Sequence, residues 1–204
     1  VDIAAVCAIA EERKCLTIVD NTFLTPYFQQ PLWLGADVVV HSTTKYLNGH
    51  HDIVGGALVT KNVDDRWHSL QSLRKLAGNI LSPFDAWLLM RGMRTLCVRF
   101  IHASASALSI AEFLGAHTRI RRVLYPGLPG HPGHAVACRQ MTGGFGGMLS
   151  ILVEGGAAEA LAIARSTQLF SPATSLGGVE SLIEHRRSVE GPKSSVPENL
   201  LRLS

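Results

Sequence analysis

Charge is scarce in this sequence: 17% of its residues are Asp, Glu, Lys or Arg, and aromatic residues are scarcer still at 6%. With 47% apolar residues and a mean hydropathy of +0.19, the chain is too apolar and too weakly charged to stay disordered. Its 19 basic and 16 acidic residues are scattered, apart from small groups at Arg119, Arg121, Arg122 and at Arg186, Arg187. That pattern is no footprint for nucleic acid, and no nucleic-acid partner is expected. Long apolar runs are lacking as well. Uncharged apolar stretches of about six to nine residues fall far short of the roughly 18 that span a bilayer, so no transmembrane helix is expected. The four cysteines, Cys7, Cys15, Cys97 and Cys138, form no C-x-x-C pair, so neither a zinc knuckle nor a dithiol motif is spelled out. Reduced thiols in a cytoplasmic protein are the expectation. An initiator methionine is also missing, and the alternation at Leu200 to Ser204 stops mid-pattern, so both ends read as cuts.

What is present is enough to fold. A chain of 204 residues buries roughly 70% of its unfolded surface without needing disulfides. Ile3, Val6, Ile9 and Ala10 share one helical face over residues 3–14. The β-branched run Leu16 to Val19, ending in Asp20, then predicts a buried strand. Pro31 to Gly35 reads as a helical turn stopped by glycine, followed by a second buried strand at Asp37 to Val40 and a third over Ile53 to Thr60. Helical spacing returns from Asp64 to Ser82. Ser82-Pro83 supplies an N-cap and first-turn proline for a further helix, which Gly92 is expected to interrupt. A long helix follows over Thr95 to Gly115, with a domain boundary near its start. Beyond it lie strands at Val123 to Tyr125, Met148 to Val153 and Leu169-Phe170, with a helix at Ala157 to Arg165. The fold class is therefore α/β, with domains at 1–100 and 101–204.

Chemistry concentrates in the segment from Asp37 to His51, where Ser42, Thr43 and Thr44 precede Lys45. A loop at the carboxyl end of a strand in an open parallel sheet sits in the crevice where ligands bind. Serine and threonine hydroxyls donate to phosphate oxygens, and a desolvated lysine loses its proton and condenses with a carbonyl. An aldehyde joined to a phosphate describes pyridoxal phosphate (PLP). That cofactor also needs an acid to keep its pyridine nitrogen protonated, and Asp20 ends the neighbouring strand. From spacing alone, a solvated loop lysine among ordinary turn hydroxyls reads equally well, and Asp20 reads equally as a turn or cap residue.

The sequence resembles the Cys/Met-metabolism family of PLP-dependent enzymes. Its lysine-loop signature runs continuously from Asp37 through His51. Supporting matches are Val19 to Phe23, Arg91 to Leu96, Ser175 to Ser181, and Leu201 to Ser204. The resemblance implies an aspartate-aminotransferase-like, fold type I large domain, here incomplete, with a smaller C-terminal α/β domain. It implies Lys45 as the imine-forming lysine and proton shuttle, Asp20 as partner of the pyridine nitrogen, and Ser42 and Thr44 as phosphate contacts. Ser175 and Arg202 would clamp the substrate α-carboxylate, an arginine suiting that task because its planar fork matches a carboxylate. Glu180 would lie by the distal end of the substrate; a surface glutamate opening a helix is the equal alternative.

The implied activity is γ-replacement or γ-elimination on sulfur amino acids or O-acyl-homoserines, as in cystathionine gamma-synthase and gamma-lyase. Alternatives are a cystathionine beta-lyase type of C–S cleavage and a catalytically silent chain. The resemblance further implies a small-molecule amino-acid substrate, a homotetramer built from dimers, and a chain about twice this length. The absent N-terminal half would carry a glycine-rich phosphate turn and the aromatic residue stacked on the cofactor ring.

No metal is expected. His50, His51 and Asp52 point apart on an extended loop, and His131 with His134 lacks a third ligand. Gly143 to Gly147 precedes a strand rather than a helix and reads as a flexible turn rather than a phosphate cradle. No G-x-S-x-G elbow supports a serine hydrolase. Trp33, Trp67 and Trp87 fall on helical faces and are expected in the core.

Overall fold

A computed structural model describes all 204 residues. The first half runs α1 (Ile3–Glu12), β1 (Ile18–Asp20), α2 (Thr25–Phe28), a 3-10 turn at Pro31–Leu34, β2 (Val38–Ser42), β3 (Gly56–Thr60), α3 (Asp65–Ala77) and α4 (Pro83–Met93). Helix α5 (Leu96–Gly115) leads to the second half. There β4 (Ile120–Leu124), α6 (His134–Gln140), β5 (Leu149–Val153), α7 (Ala157–Ser166), β6 (Ser171–Pro172), β7 (Leu182–His185), α8 (Arg186–Glu190) and β8 (Leu200–Leu203) follow. Two sheets result, ordered β1-β2-β3 and β4-β5-β8-β7-β6.

Strands β1 and β2 are parallel, with Asp20 opposite Val40, so their carboxyl ends share one edge. The sheet is not parallel throughout. Strand β3 runs antiparallel to β2 because the connection through residues 43–55 reverses the chain without a crossover helix. The helix starts obey local chemistry: Asp2, Asp64 and Ser82 each accept a backbone N–H from the first turn they cap.

The five-stranded sheet packs one face on α5 and α7. Tyr125, Val153, Leu201, Ile151, Ile183, Ala107, Ala111 and Ala160 form its buried cluster. A second cluster lies between the two sheets and joins Phe28, Tyr46, Leu47, Leu96, Phe100 and Leu176. Phe100 is fully buried at its centre, with ring centroids 4.5 Å from Phe28 and 4.8 Å, edge-on, from Tyr46. Helix α5 is thus the shared wall of both clusters. By length and composition it is long and apolar enough to cross a membrane, contrary to the reading from uncharged runs, because Arg99 and Glu112 are its sole Lys, Arg, Asp or Glu residues.

Other expectations are corrected. Gly92 does not interrupt α4, which continues to Met93. Its missing side chain instead lets the helix touch the backbone of Asn48, where a Cβ would collide with the Asn48 carbonyl. The strand expected at Leu169-Phe170 is displaced to Ser171–Pro172, where it pairs with β7. Trp33 and Trp87 are 78% and 51% exposed, outside the core, each with one cation over its ring, Lys61 at 5.6 Å and Arg91 at 5.2 Å. The Gly143 to Gly147 turn is pinned rather than free: Phe145 N–H donates to Ser104 Oγ and Tyr125 Oη donates to Gly146 O.

Replacing Gly92 by alanine is expected to cost about 1–3 kcal/mol through overpacking against Asn48. Urea denaturation of Gly92→Ala beside the unsubstituted protein measures it; an unchanged midpoint would contradict the close contact.

Candidate active site

The lysine loop is anchored from both sides of Lys45. Tyr46 and Leu47, the next two residues, are buried in the cluster around Phe100, while Thr43 before it is 1% exposed. Arg99 of α5 ties the loop to α4, donating from Nη1 to Tyr46 O at 3.0 Å and from Nη2 to Gly92 O at 2.9 Å. Burial pushes the Arg99 guanidinium below its usual range. Sequence reading missed this residue, although one arginine in an otherwise apolar helix was the available signal.

Lys45 is half-buried, and its Nζ donates to Ser175 Oγ at 2.8 Å across 130 residues of chain. Burial lowers the pKa of its amine, the positive charge of Arg202 lowers it further, and Glu184 opposes both. Ser175 is held at φ 79°, a left-handed conformation rare for serine and a form of strain that clusters at functional sites. Its carbonyl accepts from Arg202 Nη2 at 2.7 Å. Ser175 therefore touches Lys45 with its hydroxyl and Arg202 with its backbone.

The docking of that loop also has a local cause. Leu176 is buried in the cluster beneath Lys45, and Gly177, at φ 78°, lies so close to Tyr46 N that a side chain would not fit. Arg202 sits on β8 with Leu201 and Leu203, whose side chains enter the core, so alternation turns Arg202 toward the lysine loop. It pairs with Glu184, directly opposite on β7.

Asp20 and Lys45 lie at the shared carboxyl edge of β1 and β2. Asp20 Oδ1 accepts from Thr22 N–H at 2.9 Å, and Asp20 is exposed. Thr22 Oγ1 in turn accepts from Ser42 N–H at 2.8 Å, which ties the end of β1 to the start of the lysine loop. The Ser42 hydroxyl is not used in that bond. Thr44 Oγ1 is engaged: it accepts from Gly55 N–H at 3.0 Å and donates to Gly55 O at 3.3 Å. The second bond is the long one, so redirecting that hydroxyl proton to an anion sacrifices little. Glu180 stands farther out, 54% exposed, with its carboxylate 3.0 Å from His51 Nδ1.

These groups suit PLP. A lysine with a lowered pKa, two hydroxyls able to donate and a carboxylate at the neighbouring strand end are the donor set that such a cofactor needs from this part of a site. The family of Cys/Met metabolism PLP-dependent enzymes matches over residues 1–203. The chain belongs to this family. Cystathionine gamma-synthase of Mycobacterium bovis is 50% identical over 208 residues, covering all of this chain and 53% of that protein. Cystathionine beta-lyase of Coxiella burnetii is 42% identical over 212 residues, again covering all of this chain and 54% of that protein. The crystal structure of Xanthomonas oryzae pv. oryzae cystathionine gamma synthase in complex with cystathionine superposes with a TM-score of 0.93 at 45% identity, covering 100% of this chain and 54% of that one. The chain spans about half the length of the relatives it matches. The fold is accordingly the mixed α/β architecture of PLP-dependent enzymes of this family.

The lowered Lys45 pKa makes a directional prediction. Arg202→Met removes one of its two causes, so the amine titrates higher and its neutral, nucleophilic fraction at fixed pH falls. Trinitrobenzenesulfonate labelling of Lys45, followed by peptide mass spectrometry across pH, is expected to show a profile displaced to higher pH in Arg202→Met. An unmoved profile would mean that Arg202 does not act on Lys45.

Proposed function

We propose that this chain is part of a PLP-dependent transsulfuration enzyme carrying out γ-replacement or γ-elimination on sulfur amino acids or O-acyl-homoserines. The observation that carries this reading is the junction of Lys45 Nζ with Ser175 Oγ, with Arg202 bound to the same serine. It brings a proton-moving amine within one residue of a guanidinium fork suited to an α-carboxylate.

When bound, PLP supplies an electron sink for charge developing at the substrate α-carbon. The rest falls to side chains. Arg202 binds the α-carboxylate and thereby fixes which bond faces Lys45. Ser175 orients the Lys45 amine, whose lowered pKa makes Nζ a readier acceptor of the α-proton than an ordinary lysine. Proton movement at the β-carbon by the same amine permits a γ-substituent to depart. Asp20 would partner the pyridine nitrogen and keep it protonated, and the Ser42 and Thr44 hydroxyls would hold the phosphate. Glu180 lies toward the substrate's distal end, in line with its exposed position beside His51.

The β-lyase reading is the second choice, favoured by the Coxiella relative. A silent chain is the least economical reading, because Lys45, Asp20, Ser175 and Arg202 are all present and three of them interlock. A homotetramer is supported by the exposed apolar surface running from α3 through the following loop to α4, where Leu73, Leu76, Ile80 and Phe84 are each more than 60% exposed. Four unpaired cysteines support a cytoplasmic setting.

Borohydride reduction of the full-length, PLP-loaded protein is expected to fix the cofactor on Lys45, located by peptide mass, and Lys45→Ala is expected to lose that adduct. An adduct on another lysine would overturn the assignment. Product analysis with O-acyl-homoserine plus a thiol, and with cystathionine alone, separates replacement from γ- and β-elimination.

A further inference from the structure

Glu184 is the most buried charged group outside the set already assigned, its side chain 3% exposed. It stands on β7 between two arginines. One carboxylate oxygen, Oε2, meets Arg202 Nη2 across the strand pair, and the other, Oε1, accepts from Arg186 Nη1 at 3.1 Å. Arg186 continues outward to Glu190, whose second oxygen accepts from Ser194 Oγ at 2.5 Å. Exposure rises along this line, from 3% at Glu184 and 15% at Arg202 to 28% at Arg186 and 34% at Glu190.

A carboxylate buried this deeply costs several kcal/mol of lost hydration and survives only with matched partners. Its geometry shows what the arrangement achieves. Arg202 spends one nitrogen, Nη2, on both Glu184 and the Ser175 carbonyl. That fixes the plane of the guanidinium while Nη1 and Nε, the remaining donor nitrogens, make no hydrogen bond to the chain. Arg186 occupies the other oxygen of Glu184, so two guanidinium groups face one carboxylate. The inner cluster thus keeps one net positive charge, and Arg202 is oriented without being neutralised.

The geometry points to Glu184 as the positioning residue for Arg202, holding its guanidinium aligned for a substrate α-carboxylate, with Arg186 as the outer anchor. This rests on the reading of Arg202 as the carboxylate clamp. It gives β7 a role in substrate binding, although none of its side chains need touch the substrate.

The test uses the full-length, PLP-loaded protein and two probes of equal side chain, norleucine and pentylamine, which differ by the carboxylate. In Glu184→Gln the dissociation constant for norleucine, read by calorimetry and visible absorbance, is expected to rise about tenfold or more, with that for pentylamine within about twofold of the unsubstituted protein. With a true substrate the loss is expected in KM rather than in kcat. Equal weakening of both probes would indicate general structural damage and overturn the inference, as would unchanged or tighter norleucine binding. Should Glu184→Gln fail to fold, Arg186→Met perturbs the cluster from its exposed side and is expected to give a smaller, about threefold, loss selective for norleucine; no selective loss there overturns the inference. Arg202→Lys, run in parallel, separates the two levels. If it discriminates between the probes and the Glu184 and Arg186 variants do not, the positioning role fails alone. If Arg202→Lys does not discriminate either, the clamp reading fails and the positioning role falls with it.

Discussion

One hydrogen bond joins the two sheets at their chemical centre: Lys45 Nζ to Ser175 Oγ, at 2.8 Å. A single charge-assisted bond at a partly open site contributes at most a few kcal/mol and could not hold two sheets in register by itself. The apolar residues beside its partners do that. Tyr46 and Leu47 follow the lysine, Leu176 follows the serine, and all three enter the cluster around Phe100. Placement of the reactive groups is therefore a by-product of burying their neighbours, which is how a loop residue acquires the precision of a core residue.

The same economy explains how a chain with few charges spends them. Arg99, Arg202 and Glu184 are all taken substantially out of water, and each carries at least two partners. Arg99 satisfies backbone carbonyls that the lysine loop, being neither helix nor strand, leaves unpaired. Arg202 and Glu184 occupy facing positions on antiparallel strands, where cross-strand side chains meet directly. Arg202 also acts at a distance, because a positive charge in a poorly solvated site lowers the proton affinity of a nearby amine. Anchoring of the Ser175 carbonyl and lowering of the Lys45 proton affinity are in this way two effects of one guanidinium.

Much of this was readable from the sequence, and the reasons differ by element. The run into β2 and the hydroxyls before Lys45 stood out because β-branched residues and polar residues change abruptly within four positions. The Ser82-Pro83 cap is a local rule that tertiary structure did not override. Gly92 misled because glycine in a helix has two meanings, a break or a close approach, and the partner that decides between them, Asn48, is 44 positions away. The tryptophans misled for a related reason: a helical face says which residues align, not whether anything covers them. Glu184 was invisible because its inner partner Arg202 is brought to it by strand pairing, and the pairing of β7 with β8 has no local signature.

The two ends of the site are built to different standards. At the carboxylate end, Lys45, Ser175, Arg202 and Glu184 are tied to one another and to buried cores, so few side-chain substitutions there would leave the geometry intact. At the other end, Glu180 and His51 face each other with 54% and 25% side-chain exposure, on loop segments with few ties. An ion pair that exposed contributes little rigidity. The fold thus holds Lys45, Ser175, Arg202 and Glu184 as one interlocked group and leaves Glu180 and His51 on exposed side chains. Relatives named as a γ-synthase and a β-lyase each align with the whole of this chain, at 50% and 42% identity.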